Sequence, residues 1–250
     1  MNRYLNNLNK IEFVVTNACT GRCKHCSEAG HKDYGVSIDP LVAADAVRKI
    51  AAEYPIETVM TFGGEPLLYP EAVFTILSAA SELHIPRRQV ITSGYFSKDA
   101  QEIGRVAKGL AECGVNDLLL SVDAFHQESI PPAPVLRFAR DLQRAGVPIR
   151  LSPAWLVDRT HENPYNAETR RILQAFAALG IPEGEGNVVF FEGNAKRYLA
   201  DYFTHDLPAN PYVEDPKKLK CISFCANGDV LGDNLYRCGI MEIINNYTAE

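Results

Sequence analysis

No window of this 250-residue sequence approaches the ~18 uninterrupted apolar residues of a membrane-spanning helix. The opening residues MNRYLNNLNK also lack the apolar core of a secretory leader. Neither membrane insertion nor secretion is expected, and the expected location is cytoplasmic. Long runs of Lys and Arg are missing too. With 25 basic against 31 acidic residues and a net charge of −6, a dedicated nucleic-acid surface is disfavoured. A composition of 46% hydrophobic and 22% charged residues excludes a disordered chain and supports one substantial core with an appendage.

Short β-branched runs alternate with longer helical patterns. Residues 11–16, 57–62, 89–94, 117–122, 148–153 and 187–192 read as strands, each a brief apolar run between turn residues. Helices are predicted over 39–53, 70–83, 98–113, 132–145 and 166–179; Pro40 and Pro70 suit helix starts, and Gly114, Gly146 and Gly180 sit at helix exits. This alternation predicts an α/β fold, an open partial (β/α)6 barrel of the TIM type, because residues 11–192 are too few for eight units. A doubly wound sheet is the alternative. It has little support, since the first strand is followed by a cysteine loop where a Gly-rich phosphate loop would be needed. After residue 192 the alternation stops. Asn227-Gly228 between apolar runs predicts a hairpin, so the chain divides into a core over 1–195 and a small β-hairpin-containing C-terminal cap over 196–250.

Seven cysteines in a reducing compartment are better read as ligands or buried thiols than as disulfides. Cys19, Cys23 and Cys26 follow the first strand in the run NACTGRCKHC. Three thiolates hold three corners of a four-iron, four-sulfur cube and leave one iron open. A structural zinc site is the alternative, with His25 or His31 as a fourth ligand, although such sites usually pair two knuckles. Gly63-Gly64-Glu65-Pro66 follows the second strand. Paired glycines let backbone approach a ligand, and their carbonyls with the Glu65 carboxylate make an acceptor cluster suited to an ammonium group. An ordinary turn is the plainer reading.

The cysteine loop on the first strand and GGEP on the second, in that order, resemble the radical S-adenosylmethionine (SAM) superfamily. The resemblance implies a [4Fe-4S] cluster on Cys19, Cys23 and Cys26, with SAM chelating the open iron. It implies reductive cleavage to a 5'-deoxyadenosyl radical that abstracts hydrogen from a substrate, a peptide or a biosynthetic small metabolite. A flavodoxin- or ferredoxin-type protein would donate the electron. By the same resemblance Gly63, Gly64, Glu65 and Pro66 serve SAM; Ser93, Ser121, Asp123 and Ser152 match its strand-end polar positions more loosely. His25 stands where the family often has Tyr or Phe, and Thr20 where many members have Asn. A non-catalytic zinc-binding or electron-transfer protein is the reading from another class.

Active sites of parallel-strand folds gather at the C-terminal strand ends. Tyr95, Trp155, His161 and Glu192 follow strands and are candidate pocket residues; His126 is a further candidate, although it and Phe125 read more readily as packing the following loop, while Arg159, Lys196 and Arg197 are candidate anion binders or simply solvated charges. Cys221, Cys225 and Cys238 are candidate ligands of a second iron-sulfur cluster in a truncated extension resembling the SPASM or Twitch kind. Cys113 reads as a buried thiol.

Overall fold

Proline in the first helical turn, or an oxygen-bearing side chain before it, fixes where the helices begin. The computed structural model describes residues 2–28, 34–203 and 210–249. Asp39 caps α1 (Pro40–Glu53), accepting from the N–H groups of Leu41 and Val42. Pro70 opens α2 (Pro70–Glu82), Asp99 caps α3 (Ala100–Glu112), and Asp123 caps the single-turn α4 (Ala124–Gln127). Helices α5 (Pro132–Ala145) and α6 (Pro164–Ala177) follow, and the short α7 (Gly193–Tyr198) and α8 (Ile240–Asn246) lie later in the chain. Gly146 stops α5 in a left-handed conformation at φ 78°.

Strands β1 (Lys10–Val14), β2 (Thr58–Phe62), β3 (Arg87–Thr92), β4 (Asp117–Leu120) and β5 (Ile149–Leu151) pair side by side in parallel, as successive right-handed crossovers require. Ile11, Phe13, Val59, Val90 and Leu118 are fully buried in the core that the helices share with the sheet. Each contributes roughly 1.5–3 kcal/mol by leaving water. Helices α1 and α2 pack on each other, as do α3 and α5.

Two predicted strands are revised. The run at 148–153 is interrupted at Ser152 and Pro153, and the chain resumes as β6 (Ala154–Trp155). The predicted strand at 187–192 is reduced to β7 (Asn187–Val188), which pairs in parallel with β6 and stands outside the six-stranded sheet. Pro153 has no N–H and enters the pairing only as an acceptor, from Asn187 N–H at 2.9 Å, while Leu151 bridges to Glu183 by donating to Pro182 O at 2.9 Å and accepting from Gly184 N–H at 2.8 Å. Phe190 and Phe191 then turn out of the strand.

The sixth strand of the main sheet comes from the tail. Segment β8 (Cys221–Phe224) lies parallel to β1, giving the order β5-β4-β3-β2-β1-β8. Alternation explains it, since Ile222 and Phe224 are buried and the Phe224 ring stacks on Phe13 at 4.7 Å. Asn227-Gly228 reverses the chain after β8, with Gly228 N–H donating to Cys225 O at 2.9 Å. A two-stranded hairpin, β9 (Asp229–Val230) and β10 (Asp233–Asn234), follows. The sheet is open. Among the described residues no helix is long and apolar enough to cross a membrane.

Candidate active site

A cavity of about 250 Å³ opens at the C-terminal ends of the parallel strands. Residues immediately beyond β1, β2, β3, β4 and β5 reach it in turn: the cysteine loop, Gly63 and Gly64, Ser93, Ser121 and Ser152. Cys19, Cys23 and Cys26 all line it, as do His25 and His126. Residues from two motifs and five strand ends therefore share one space. Ser27, Asn187 and Phe190 also line it, and the sequence reading did not include them.

The glycine pair does something the sequence did not disclose. Gly64 N–H donates to Thr16 O and Glu65 N–H to Ala18 O, both at 2.8 Å, so this turn grips the start of the cysteine loop. A Cβ on Gly64 would lie 2.1 Å from Ala18 O, and one on Gly63 would lie 2.6 Å from Thr16 O. The close approach is to the neighbouring backbone as well as to the cavity.

Glu65 is fully buried behind this turn. Its carboxylate accepts from Thr92 Oγ1 at 2.6 Å, Ser93 Oγ at 2.5 Å, Ser93 N–H at 3.0 Å and Leu67 N–H at 3.1 Å. Burial raises its pKa above the ordinary carboxylate value against the pull of those hydrogen bonds. Pro66, also buried, opens a single 3-10 turn.

The thiols sit in a similarly dry setting. Burial, and then the Glu65 charge, pushes Cys19 up to about 12, while burial and then Asp123 push Cys23 up as well. Burial also raises Cys26. A metal cation reverses that logic and takes the thiolate. Nothing projects from Gly21 between the sulfurs: a Cβ there would stand 3.2 Å from Cys23 Sγ and 3.6 Å from Cys19 Sγ. His31 lies outside the described residues.

One set of three ligand atoms within 4.8 Å does occur among the described residues: His25, Asp123 and His126. Its hydrogen bonds identify it as a carboxylate–imidazole pair. Asp123 is fully buried and accepts from His126 N–H at 2.9 Å, His126 Nδ1 at 2.8 Å and Ala154 N–H at 2.9 Å. Burial works against both charges, yet the attraction prevails: Asp123 is held below its ordinary pKa and His126 above. His25 packs against His126 with ring centroids 4.8 Å apart, and burial holds it near 4, hence neutral.

The remaining candidates lie elsewhere. Trp155 is buried but faces away from the cavity; its indole N–H donates to Glu185 O at 2.9 Å, and Arg159 and Arg170 cover its ring at 5.7 and 5.9 Å. Alternation along β6 carries it to the outer side, which its place at a strand end could not reveal. Tyr95 is outside the lining and accepts through its carbonyl from the Thr20 hydroxyl. Glu192 precedes α7 and faces Asn210. Phe125 is buried and stacks on Tyr165 at 4.6 Å, while His161 is exposed and Arg159 pairs with Glu183. Lys196 and Arg197 lie in the last turn of α7, outside the cavity lining. Cys221 begins β8 and Cys225 follows its end, about 13 Å further along at ~3.3 Å per residue. Cys238 lies beyond the hairpin, just before α8. Cys113 is buried at the end of α3.

The Radical SAM superfamily profile matches residues 13–204. The chain belongs to the radical SAM superfamily. Members use a [4Fe-4S] cluster and SAM, and the chain is an enzyme of that family. Over 120 residues it is 29% identical to the GTP 3',8-cyclase of Cronobacter sakazakii, which covers 46% of this chain and 34% of that protein. The fold resembles that of Streptococcus suis SuiB bound to precursor peptide SuiA, with a TM-score of 0.65 and 15% identity over 97% of this chain and 65% of SuiB. It also resembles native anSMEcpe with bound AdoMet, at a TM-score of 0.60 and 12% identity, covering 96% of this chain and 80% of that one. BtrN in complex with AdoMet and 2-DOIA gives a TM-score of 0.53 at 15% identity, covering 96% of this chain and 82% of BtrN. The chain spans about a third of the length of the curated relative and just under two thirds of SuiB.

Proposed function

We propose that Cys19, Cys23 and Cys26 hold the [4Fe-4S] cluster of this radical SAM enzyme and that SAM occupies the adjoining cavity. The observation that carries this reading is the meeting of the cysteine loop and the Gly63-Gly64-Glu65 turn around one space at the strand ends. When bound, the two groups supply a 5'-deoxyadenosyl radical that abstracts hydrogen from the substrate.

The protein's own contribution is placement and exclusion of water. The carbonyls of Gly63 and Gly64 suit the amino group of SAM. Glu65, too deeply placed to line the cavity, orients Ser93 through two hydrogen bonds, and Ser93 faces the ligand. Ser121 and Ser152 offer hydroxyls from the next strand ends, His25 an imidazole ring that burial keeps uncharged, and Asp123 holds His126 in place at the wall.

We assign the substrate to a peptide or a small metabolite, entering from the open edge of the sheet. Supporting this, fold neighbours of the chain include a peptide-bound SuiB and a BtrN with 2-DOIA. A flavodoxin- or ferredoxin-type donor supplies the electron. All seven cysteines are free thiols in the structure, which suits a reducing, cytoplasmic setting.

Anaerobic reconstitution tests the reading. About four iron per chain and 5'-deoxyadenosine released from SAM with dithionite are expected. Colourless protein that binds zinc and leaves SAM intact would return the chain to the class of non-catalytic metal binders. Genes beside this one that encode a short precursor peptide would decide for the peptide substrate.

A further inference from the structure

The backbone of the cysteine loop is held from three directions. Arg22, inside the loop, donates from Nη1 to Cys19 O and Gly21 O, both at 2.8 Å. The Gly63–Glu65 turn grips Thr16 and Ala18 from one side, as described above. From the other side comes Asn194, 171 residues from Cys23 in sequence. Its Nδ2 donates to Cys23 O at 3.0 Å, and its backbone N–H donates to Cys26 O at 2.8 Å.

Gly193 is what lets the chain come this close. It has φ 49°, and a Cβ on it would lie 2.1 Å from Ser27 O and 2.6 Å from Cys26 O. The start of α7 is therefore pressed against the end of the cysteine loop. The residues just before it, Asn187 to Phe190, form part of the cavity wall. Tyr212 of the tail meets that wall, donating to Asn187 Oδ1 at 2.6 Å and packing edge-on against Phe190 at 5.9 Å.

Burial encloses Cys26 less completely than the other two. Cys19 and Cys23 are buried, whereas Cys26 is half-buried, and within the loop its N–H makes a bond of 3.3 Å to Cys23 O. Two hydrogen bonds from one residue to the carbonyls of Cys23 and Cys26 fix both the separation and the tilt of those peptide units. We propose that Asn194 is a positioning residue that sets the relative placement of the Cys23 and Cys26 thiols and ties it to the cavity wall. The proposal rests on the cluster reading given above.

The test compares Asn194→Asp and Asn194→Ala with the wild-type protein. Aspartate keeps the shape of asparagine and is well tolerated in the first turn of a helix, so α7 itself is not weakened. It presents an acceptor to Cys23 O where a donor is needed. The readouts are iron per chain after anaerobic reconstitution, the electron paramagnetic resonance spectrum of the dithionite-reduced protein, and the rate at which the cluster absorbance decays in air. Both variants are expected to show a shifted spectrum. Decay should be roughly tenfold faster in the alanine variant, the equivalent of one neutral hydrogen bond, and faster again in the aspartate variant.

Variants that match wild type in spectrum and decay overturn the proposal while leaving the cluster reading intact. Wild-type protein that takes up no iron overturns both. Thermal melting of the metal-free variants provides the structural control. An aspartate variant whose metal-free form melts far below wild type would make Asn194 a fold residue and overturn the positioning role as well.

Discussion

Asp123 and His126 are joined twice, by the backbone N–H of His126 at 2.9 Å and by its ring Nδ1 at 2.8 Å, with the carboxylate wholly buried. The pair has a pH signature. His126 has a raised folded pKa, so its contribution is fully present below its unfolded value of ~6.5 and is lost as pH rises through the folded value. Asp123 has a depressed one, so its contribution is present above ~3.9 and is lost as pH falls through the folded value. Melting temperature of the metal-free protein should therefore be highest between these limits. His126→Ala, which leaves a buried carboxylate unpaired, should cost about 3–5 kcal/mol near neutral pH. Urea unfolding at several pH values measures it; a variant as stable as wild type at pH 6 would contradict the pairing.

Gly64→Ala should damage the site through the backbone. The new methyl group would meet Ala18 O at 2.1 Å, so the turn must move off the cysteine loop. Overpacking of this kind costs about 1–3 kcal/mol. Iron uptake should fall along with the urea midpoint. A variant that loads iron as wild type does would show that the grip on Ala18 is dispensable.

The two cysteine sets should separate cleanly. Replacing Cys19, Cys23 or Cys26 by Ala should abolish SAM cleavage, since two protein ligands are too few to retain the cluster. Replacing Cys221, Cys225 or Cys238 should leave iron per chain unchanged, because Cys221 and Cys225 stand at opposite ends of β8, about 13 Å apart along the strand. A drop in iron on losing any of these three would show that the tail rearranges around a second cluster.

Removing the metal should leave the fold standing. The core residues Phe13, Val59, Val90 and Leu118 are fully buried without help from the loop, and the loop carbonyls already have partners in Arg22 and Asn194. Far-ultraviolet circular dichroism of chelator-treated protein should retain the native spectrum. Melting should fall by roughly 2–4 °C for each kcal/mol of binding energy lost. Collapse of the spectrum, as in a metal-dependent finger, would contradict this.

The helices could be read in advance because proline and aspartate mark their starts by local chemistry. Pro132 to Ala145 was predicted to the residue. The site was legible because the cysteine loop and GGEP each follow a strand, and parallel strands bring their ends together. What escaped depended on distant parts of the chain. The run NVVFFE is apolar enough for a strand, yet its partner β6 offers only Ala154 and Trp155 to pair with, and it is a strand for two residues. CISF is as short as many turns, and the partner that makes it a strand lies at the other end of the sequence. Trp155 shows that a strand end fixes position and not direction. Asn194 carried no motif, because its role exists only once α7 meets the loop.

The parallel pairing of Lys10 with Cys221 also bears on how the protein is made. On the ribosome, β1 emerges early and waits for its outer neighbour until nearly the whole sheet has been synthesised. Contacts of such long sequence separation slow folding, and an unpaired hydrophobic edge invites association with other chains. A chain released before residue 221 would keep every ligand of the proposed cluster and still expose that edge, so nascent fragments should depend on chaperones more than their intact site suggests.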